Sequence, residues 1–301
     1  MASTQRLPAP DGTTVLVTGG NAGIGYFVAE QLAEAGATVL LGSRDATKAA
    51  AAMRSIGEHV PGARVRHFPM DLAALESSLD SLERLDALVC NAGVAFDDQR
   101  RRQTRDGREL MFATNHLGHF TLTALLAPLL SAAPAGRVVT TGSFVAKSAE
   151  LDFADLQFTH GYQPKAAYAR SKLAQMLFGF ELDRRLRAAG LSTVSVVNHP
   201  GGALDSLTPS RPPVHSRTVA TRLCGLPAGV FLQGKHAGAW PAVRAVLDPE
   251  VRGGQLWGPQ VFGLRGKPRP EPVRGILADT ALAAAVWDAS VELTGGRPFG
   301  L

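Results

Sequence analysis

Tyr168 and Lys172 stand four residues apart in Tyr168-Ala169-Arg170-Ser171-Lys172, within a stretch whose pattern predicts one long helix. That spacing sets a phenol and an ammonium on one helical face, a turn apart. A phenol ionises near pH ~10, and a neighbouring cation stabilises the phenolate and draws that value toward neutrality. A tyrosine so placed can exchange a proton with an alcohol or carbonyl oxygen. Such pairs arise by chance in many helices, so the weight of this one depends on what accompanies it.

Its companion lies far upstream, in Thr18-Gly19-Gly20-Asn21-Ala22-Gly23-Ile24-Gly25. The apolar run Val15-Leu16-Val17 precedes this turn, and an amphipathic segment with Phe27, Val28, Leu32 and Ala35 on one side follows it. Gly36 ends that segment and a second strand is expected from Ala37 to Leu41. Strand, glycine turn, helix and strand form the setting in which such glycines bind a dinucleotide. Glycine lets the backbone turn sharply and approach a pyrophosphate, whose charge suits the positive end of the helix.

The elements that must position these groups are legible as alternation. Strands are expected at Thr13–Thr18, Thr38–Leu41, Val65–Phe68, Ala87–Cys90, Arg137–Thr141 and Thr193–Asn198. Helices are expected near Tyr26–Ala35, Ala46–Ile56, Leu75–Leu82, Leu110–Leu130 and Tyr168–Ala188. The strand runs are too uniformly apolar for a half-exposed sheet. They predict an α/β fold, a single Rossmann-type doubly wound parallel sheet with helices on both faces. The whole chain, 1–301, is taken as one domain. After Pro200-Gly201-Gly202 the texture changes, and residues 203–234 mix Pro, Ser, Arg and Gly with apolar patches. They follow a strand end that faces the cleft, so they read as a substrate lid or as an irregular surface excursion. A C-terminal extension covers 263–301. A helix is expected at His236–Leu247, a short strand at Gln255–Trp257, an exposed basic arm at Gly263–Arg274 and a last helix at Asp279–Leu293.

With 301 residues, 45% of them apolar, the chain can build a sizeable core without disulfide or metal. Of its two cysteines, Cys90 falls in an expected buried strand, which fits a reducing cytoplasm better than a disulfide framework. No apolar signal core occupies residues 1–11, and no window reaches the ~20 apolar residues of a membrane span, so a cytoplasmic protein is expected. A net charge of +5 raises a nucleic-acid partner. The arginines are scattered, however, apart from Arg100, Arg101, Arg102, Arg105 and Arg108 in a polar loop, and no aromatics alternate with them. No nucleic-acid partner is expected.

Taken in order, Thr18–Gly25, Asp71-Leu72, Asn91-Ala92-Gly93, Asn115, Ser143, Tyr168-x-x-x-Lys172 and Pro200-Gly201 resemble the short-chain dehydrogenase/reductase family across almost the whole chain. Asp106-Gly107, Thr114-Asn115-His116-Leu117-Gly118-His119-Phe120 and Ala167-Tyr168-x-x-Ser171-Lys172-Leu173-Ala174 resemble its retinol dehydrogenase-like branch, which handles lipophilic aldehydes, ketones and alcohols. The resemblance implies hydride transfer between a nicotinamide cofactor and a carbonyl or alcohol carbon. Ser143, at the end of an expected central strand, would hydrogen-bond the substrate oxygen. Tyr168 would be general acid or base, and Lys172 would lower its pKa and bind nicotinamide-ribose hydroxyls. Asn115 is implied to hold a water that links Lys172 to solvent. Gly19, Asn21, Ala22, Gly23, Ile24, Gly25, Asn91, Ala92, Gly93, Pro200 and Gly201 would contact the cofactor, with Asp71 and Leu72 near the adenine. Long helices at 110–130 and 168–188 resemble those that pair in family dimers and tetramers, so a homodimer or homotetramer is expected. The alternative is a dinucleotide-binding sensor or scaffold, or a non-redox enzyme, which the fold by itself permits.

NADP(H) is the expected cofactor. NAD-selective folds of this kind place an acid at the end of the second strand. Here Ser43 stands in that place and Arg44 follows, with a guanidinium suited to a 2′-phosphate. Asp45 is expected to cap the next helix. Two departures stand out: Gly142-Ser143 where the family often has two serines, and no threonine close behind Pro200-Gly201, Thr208 coming later. Other polar residues are expected to be structural: His116, His119 and His199 lack partners at metal-ligand spacing, and no metal site is expected. Asp152 and Asp155 should shape a loop, and Glu181 and Asp183 should lie on a solvated face paired with Arg184, Arg185 and Arg187.

Overall fold

The computed structural model describes residues 7–75 and 82–301. Among them the strands are β1 (Thr14–Thr18), β2 (Thr38–Ser43), β3 (Arg64–Pro69), β4 (Ala87–Cys90), β5 (Arg137–Thr141), β6 (Val194–Asn198), β7 (Ala203–Leu204), β8 (Gln233–Gly234), β9 (Leu256–Val261) and β10 (Arg265–Glu271). The helices are α1 (Gly23–Glu34), α2 (Ala46–His59), α3 (Leu110–Phe112), α4 (Gly118–Ala132), α5 (Pro164–Ala188), α6 (Val219–Gly225), α7 (Lys235–Gly238), α8 (Trp240–Leu247) and α9 (Thr280–Thr294). The expected helix at Leu75–Leu82 falls mostly on residues 76–81, outside those described.

One eight-stranded sheet, in the order β10-β9-β6-β5-β4-β1-β2-β3, carries the architecture. Every pairing in it is parallel except β9 with β10. Successive strand side chains face opposite ways, so each interior strand feeds two cores. Val15, Val17, Val39, Val89 and Val139 pack with α1, α2 and α8. Leu16, Leu40, Leu88, Cys90 and Val138 pack on the other face with α4, α5 and Trp287 of α9. Two-sided burial is the reason these strands read as continuous apolar runs.

Three expectations are corrected. The segment at 263–274 is not an arm: Arg265–Glu271 forms the antiparallel edge strand β10. Pro268 and Pro270 lie two apart and share one side of the strand, and prolines are tolerated where an edge leaves amides unpaired. The helix expected at 110–130 is broken by a π-helical turn at Ala113–Leu117, which contains Asn115. Glu181 and Asp183 are paired with the three arginines as expected, but their side chains are only 1% and 0% exposed. The far half of α5 packs against β6 and α9, so these carboxylates turn inward beneath the arginines; Asp183 also accepts the Ser195 amide at 3.2 Å.

Candidate active site

The carboxyl ends of β1, β2 and β4 open onto a cleft of about 430 Å³. Gly19 and Gly23 adopt φ of +66° and +60°, which side chains rarely tolerate, and nothing lies within 4 Å of where a Cβ on Gly23 would stand. Asn21, Ala22 and Ile24 line the same wall. Ala22 precedes α1 without a side-chain acceptor, so no side chain caps the first amides of the helix. A pyrophosphate fits that cradle. Gly25 lies deeper: a Cβ there would collide with Asn91 Nδ2 and the Gly19 carbonyl. Its role is close packing of α1 on the turn.

Thr18, which the sequence reading did not single out, ties this wall to the next. Its hydroxyl accepts the amides of Asn91 and Ala92, each at 2.9 Å, and Asn91 Nδ2 returns a bond to the Thr18 carbonyl at 3.0 Å. Asn91, Ala92 and Gly93 line the cleft. A Cβ on Gly93 would stand 3.4 Å from both Asn115 Oδ1 and Lys172 Nζ, so this turn joins the cleft to the catalytic candidates.

At the opposite end Ser43, Arg44, Asp71 and Leu72 line the cleft, joined by Lys48 and Thr114, which the sequence reading passed over. Ser43 Oγ lies 3.2 Å from His67 Nε2. Asp45 caps α2 by accepting the Lys48 amide at 3.0 Å. The Arg44 side chain is 65% exposed and its guanidinium stands 3.7 Å from the Asp71 carboxylate. Lys48 Nζ stands 3.6 Å from the Asp45 carboxylate, so this end of the cleft holds two cations, each beside a carboxylate.

Ser143 follows β5, and its hydroxyl is the polar neighbour that acts on the half-buried Tyr168 phenol. Burial raises the phenol above its ordinary value and the Ser143 hydroxyl partly opposes that. Lys172 does not pull the phenol down, contrary to expectation. Its ammonium is turned to the Thr141 carbonyl at 3.1 Å and to Gln175 Oε1 at 2.8 Å. Burial lowers Lys172 itself to about 8. Asn115 is fully buried, with its amide spanning both backbone groups of Val94 (2.7 and 3.0 Å) and donating to Ser171 Oγ at 2.9 Å. Ser171 then donates to the Tyr168 carbonyl at 2.7 Å, which fastens the tyrosine turn of α5 to the π-helical turn. Gly142 cannot be the family's other serine without displacing Met176, whose Sδ would lie 2.5 Å from the added Cβ.

Pro200 and Gly201 follow β6 but do not line the cleft, and Gly201, at φ +68°, packs against Leu264 and Pro259. Thr208 is buried and engaged within its own segment, donating to the Leu204 carbonyl at 2.7 Å and accepting the Lys235 amide at 2.9 Å. Residues 203–234 divide in two. The part near Arg211 is fastened to α1 by a two-pronged ion pair with Glu30 (2.6 and 3.2 Å), and the His215 ring lies 5.0 Å from that of Phe27. Beyond it Leu223, Leu226, Val230 and Phe231 are exposed. A further cavity of about 440 Å³ beside α1 includes Glu30, Arg211, His236 and Trp240, but none of the catalytic candidates. His116, His119 and His199 are buried and hydrogen-bonded, to Ser290, to Thr18 and Asn115, and to Glu271 respectively. Asp152 and Asp155 hold loop amides, as expected.

The sheet order and the glycine-lined cleft at its carboxyl edge define a Rossmann-type nucleotide-binding protein. The chain belongs to the short chain dehydrogenase family, matching it over residues 13–208. It is 35% identical over 293 residues to human retinol dehydrogenase 13, covering 94% of this chain and 85% of that protein. It is 36% identical over 302 residues to mouse polyprenol dehydrogenase, covering 96% and 86%. Its retinol dehydrogenase-like character is thus shared over nearly its full length. A solved but uncharacterized protein from Mycobacterium paratuberculosis superposes with a TM-score of 0.78 at 33% identity, covering 97% of each chain. An NADP active-site complex of Pseudomonas aeruginosa RhlG superposes at 0.60 with 26% identity, covering 82% of this chain and 94% of that one. Among the described residues no helix is long and apolar enough to cross a membrane.

Proposed function

We propose that this dehydrogenase uses NADP(H) to interconvert a lipophilic ketone or aldehyde and its alcohol. The observation that carries the reading is the Tyr168 phenol, set beside Ser143 and one helical turn from buried Lys172. The bound nicotinamide dinucleotide supplies or accepts the hydride. Ser143 orients the substrate oxygen and stabilises charge that develops on it. Tyr168 delivers a proton to that oxygen in reduction and removes one in oxidation. Lys172 holds ribose hydroxyls with an N–H not used by Thr141 and Gln175. The glycine turn and the uncapped start of α1 hold the pyrophosphate, and Arg44 with Lys48 receives a 2′-phosphate.

The substrate class rests on the relatives, two of which are named for retinol and polyprenol. In a reducing cytoplasm rich in NADPH the net direction is carbonyl reduction, carried out by a homodimer or homotetramer. The rival is a dinucleotide-binding sensor, scaffold or non-redox enzyme, for which Ser143, Tyr168 and Lys172 would serve no purpose together. The test follows NADPH absorbance across a panel of lipophilic carbonyls, with wild type and Tyr168→Phe. Loss of the phenolic proton should lower kcat by roughly two to four orders of magnitude and leave NADPH binding intact. A Phe variant of near-normal kcat removes Tyr168 from the mechanism, and no turnover of any carbonyl or alcohol favours the rival.

A further inference from the structure

Lys172 sits in an enclosure whose polar members are few. It projects from α5 and is 4% exposed. Among the described residues no carboxylate pairs with it. The titratable groups near it are the Cys90 thiol from β4, the His119 imidazole from α4 and, on its own helix, Tyr168. Burial pushes the thiol up to about 12 and the imidazole down to about 4, so both are neutral near pH 7. Neither supplies a countercharge. The ammonium is held by two acceptors, the Thr141 carbonyl of β5 and the side chain of Gln175.

Gln175 is fully buried, and both ends of its amide are determined by what they face. One end lies 2.8 Å from Lys172 Nζ, which only donates, so that end is the oxygen. The other lies 3.2 Å from the Cys90 carbonyl, which only accepts, so that end is the nitrogen. The third neighbour does not upset the assignment. His119 Nδ1 lies 2.9 Å from the Asn115 carbonyl and must carry its proton to bond there. Its Nε2 is then an acceptor for the Thr18 hydroxyl at 2.9 Å, whose lone pairs already take the Asn91 and Ala92 amides. The 3.3 Å approach of Gln175 Nε2 to His119 Nδ1 is a contact between two donors, so the amide gains nothing by turning toward the imidazole.

We propose that Gln175 is a positioning residue that fixes the Lys172 ammonium between β4 and β5 and keeps it charged in a site without a carboxylate. It does so from three positions further along the same helix, a spacing that brings side chains together. The Cys90 carbonyl holds the amide from behind, so the oxygen is presented to Lys172 without a choice of orientation. This rests on the reading that Lys172 serves the reaction, but the determination of its charge by Gln175 can be measured without turnover.

The experiment titrates the side-chain ¹⁵N signal of Lys172, assigned by its loss in Lys172→Met, in wild type, Gln175→Met and Gln175→Glu. Losing a hydrogen bond to a charged group should lower the Lys172 midpoint by about one pH unit in the Met variant. A carboxylate in the same place should raise it by about as much in the Glu variant. The limb of the kcat/KM–pH profile that follows Lys172 should move in the same two directions. Midpoints unchanged in both variants, or moved the same way in both, overturn the proposal. If Gln175→Met does not fold, the direction of the Glu shift decides alone. Opposite NMR shifts with an unmoved rate profile would leave the role of Gln175 intact and remove Lys172 from the rate-determining chemistry.

Discussion

Replacing Arg44 by alanine tests the cofactor reading where the geometry makes it quantitative. A charged hydrogen bond to phosphate is worth about 1.5–3 kcal/mol when well formed. Two observations reduce that figure here. The Arg44 side chain is 65% exposed, and its guanidinium already stands 3.7 Å from the Asp71 carboxylate, which competes with an incoming phosphate. Exposed ion pairs alone are worth about 0.2–1 kcal/mol. Between these limits the expected loss for NADPH is about 1–2 kcal/mol, or roughly five- to thirty-fold in kcat/KM. NADH, which lacks the 2′-phosphate, should change by less than about twofold. The neighbouring carboxylate supplies the converse: Asp71→Asn frees the guanidinium and removes a like charge, so it should tighten NADPH more than NADH. The assay is kcat/KM for both cofactors in wild type and the two variants. Equal losses for both cofactors in Arg44→Ala, or a wild type that favours NADH, refute the reasoning.

Two further outcomes follow from the packing. Limited proteolysis of the apoprotein should cut between 216 and 232, where Leu223, Leu226, Val230 and Phe231 are exposed, and spare the Arg211–His215 turn fastened to α1. Cofactor with ligand should suppress the cuts, and unchanged cutting at saturation counts against closure of this segment. Acid should destabilise the fold well before its carboxylates titrate. Burial depresses His116 to about 3 and His119 to about 4. Below an unfolded-state value near 6.5 the unfolded chain therefore binds protons that the folded chain refuses. Stability is complete above that value and declines as pH falls toward about 4, by something on the order of 3–4 kcal/mol at pH 5 for the pair. Thermal melts at pH 7 and pH 5 measure this, and an unchanged melting temperature would show that the two imidazoles are not held neutral.

Most of the sheet was legible because interior parallel strands bury both faces, which leaves the uniform runs at Val15–Val17 and Ala87–Cys90. An edge strand carries no such mark. β10 contains two prolines and three basic residues, and only its ladder to β9 distinguishes it from a loop. Glu181 and Asp183 misled for a related reason. Carboxylates followed by arginines three or four positions on have the same pattern on a solvated face as beneath a packed helix, and the difference is made by β6 and α9, which are distant in sequence. The glycine turn, Asn91-Ala92-Gly93 and the Tyr168–Lys172 pair were legible because their spacing is local. The roles of Thr18 and Gln175 were not, since Thr18 takes its partners from the turn after β4 and from α4, and Gln175 is held from behind by the Cys90 carbonyl of β4.

The Tyr168 phenol is the instructive divergence. The one-turn spacing suggested a cation lowering its pKa, yet Lys172 is directed to Thr141 and Gln175 and burial dominates, so the phenol is raised. A raised phenol is protonated throughout the neutral range. In that state it is ready to give a proton to the oxygen of a bound carbonyl, hydrogen-bonded there beside Ser143, and it needs no prior ionisation. Acting as a base toward an alcohol, the same group must first lose its proton, and in this environment that requires alkaline pH or a cation brought nearer. Near neutrality the phenol is thus in the protonation state that a carbonyl reduction would use. An ammonium turned from Gln175 toward the phenol would stabilise the phenolate.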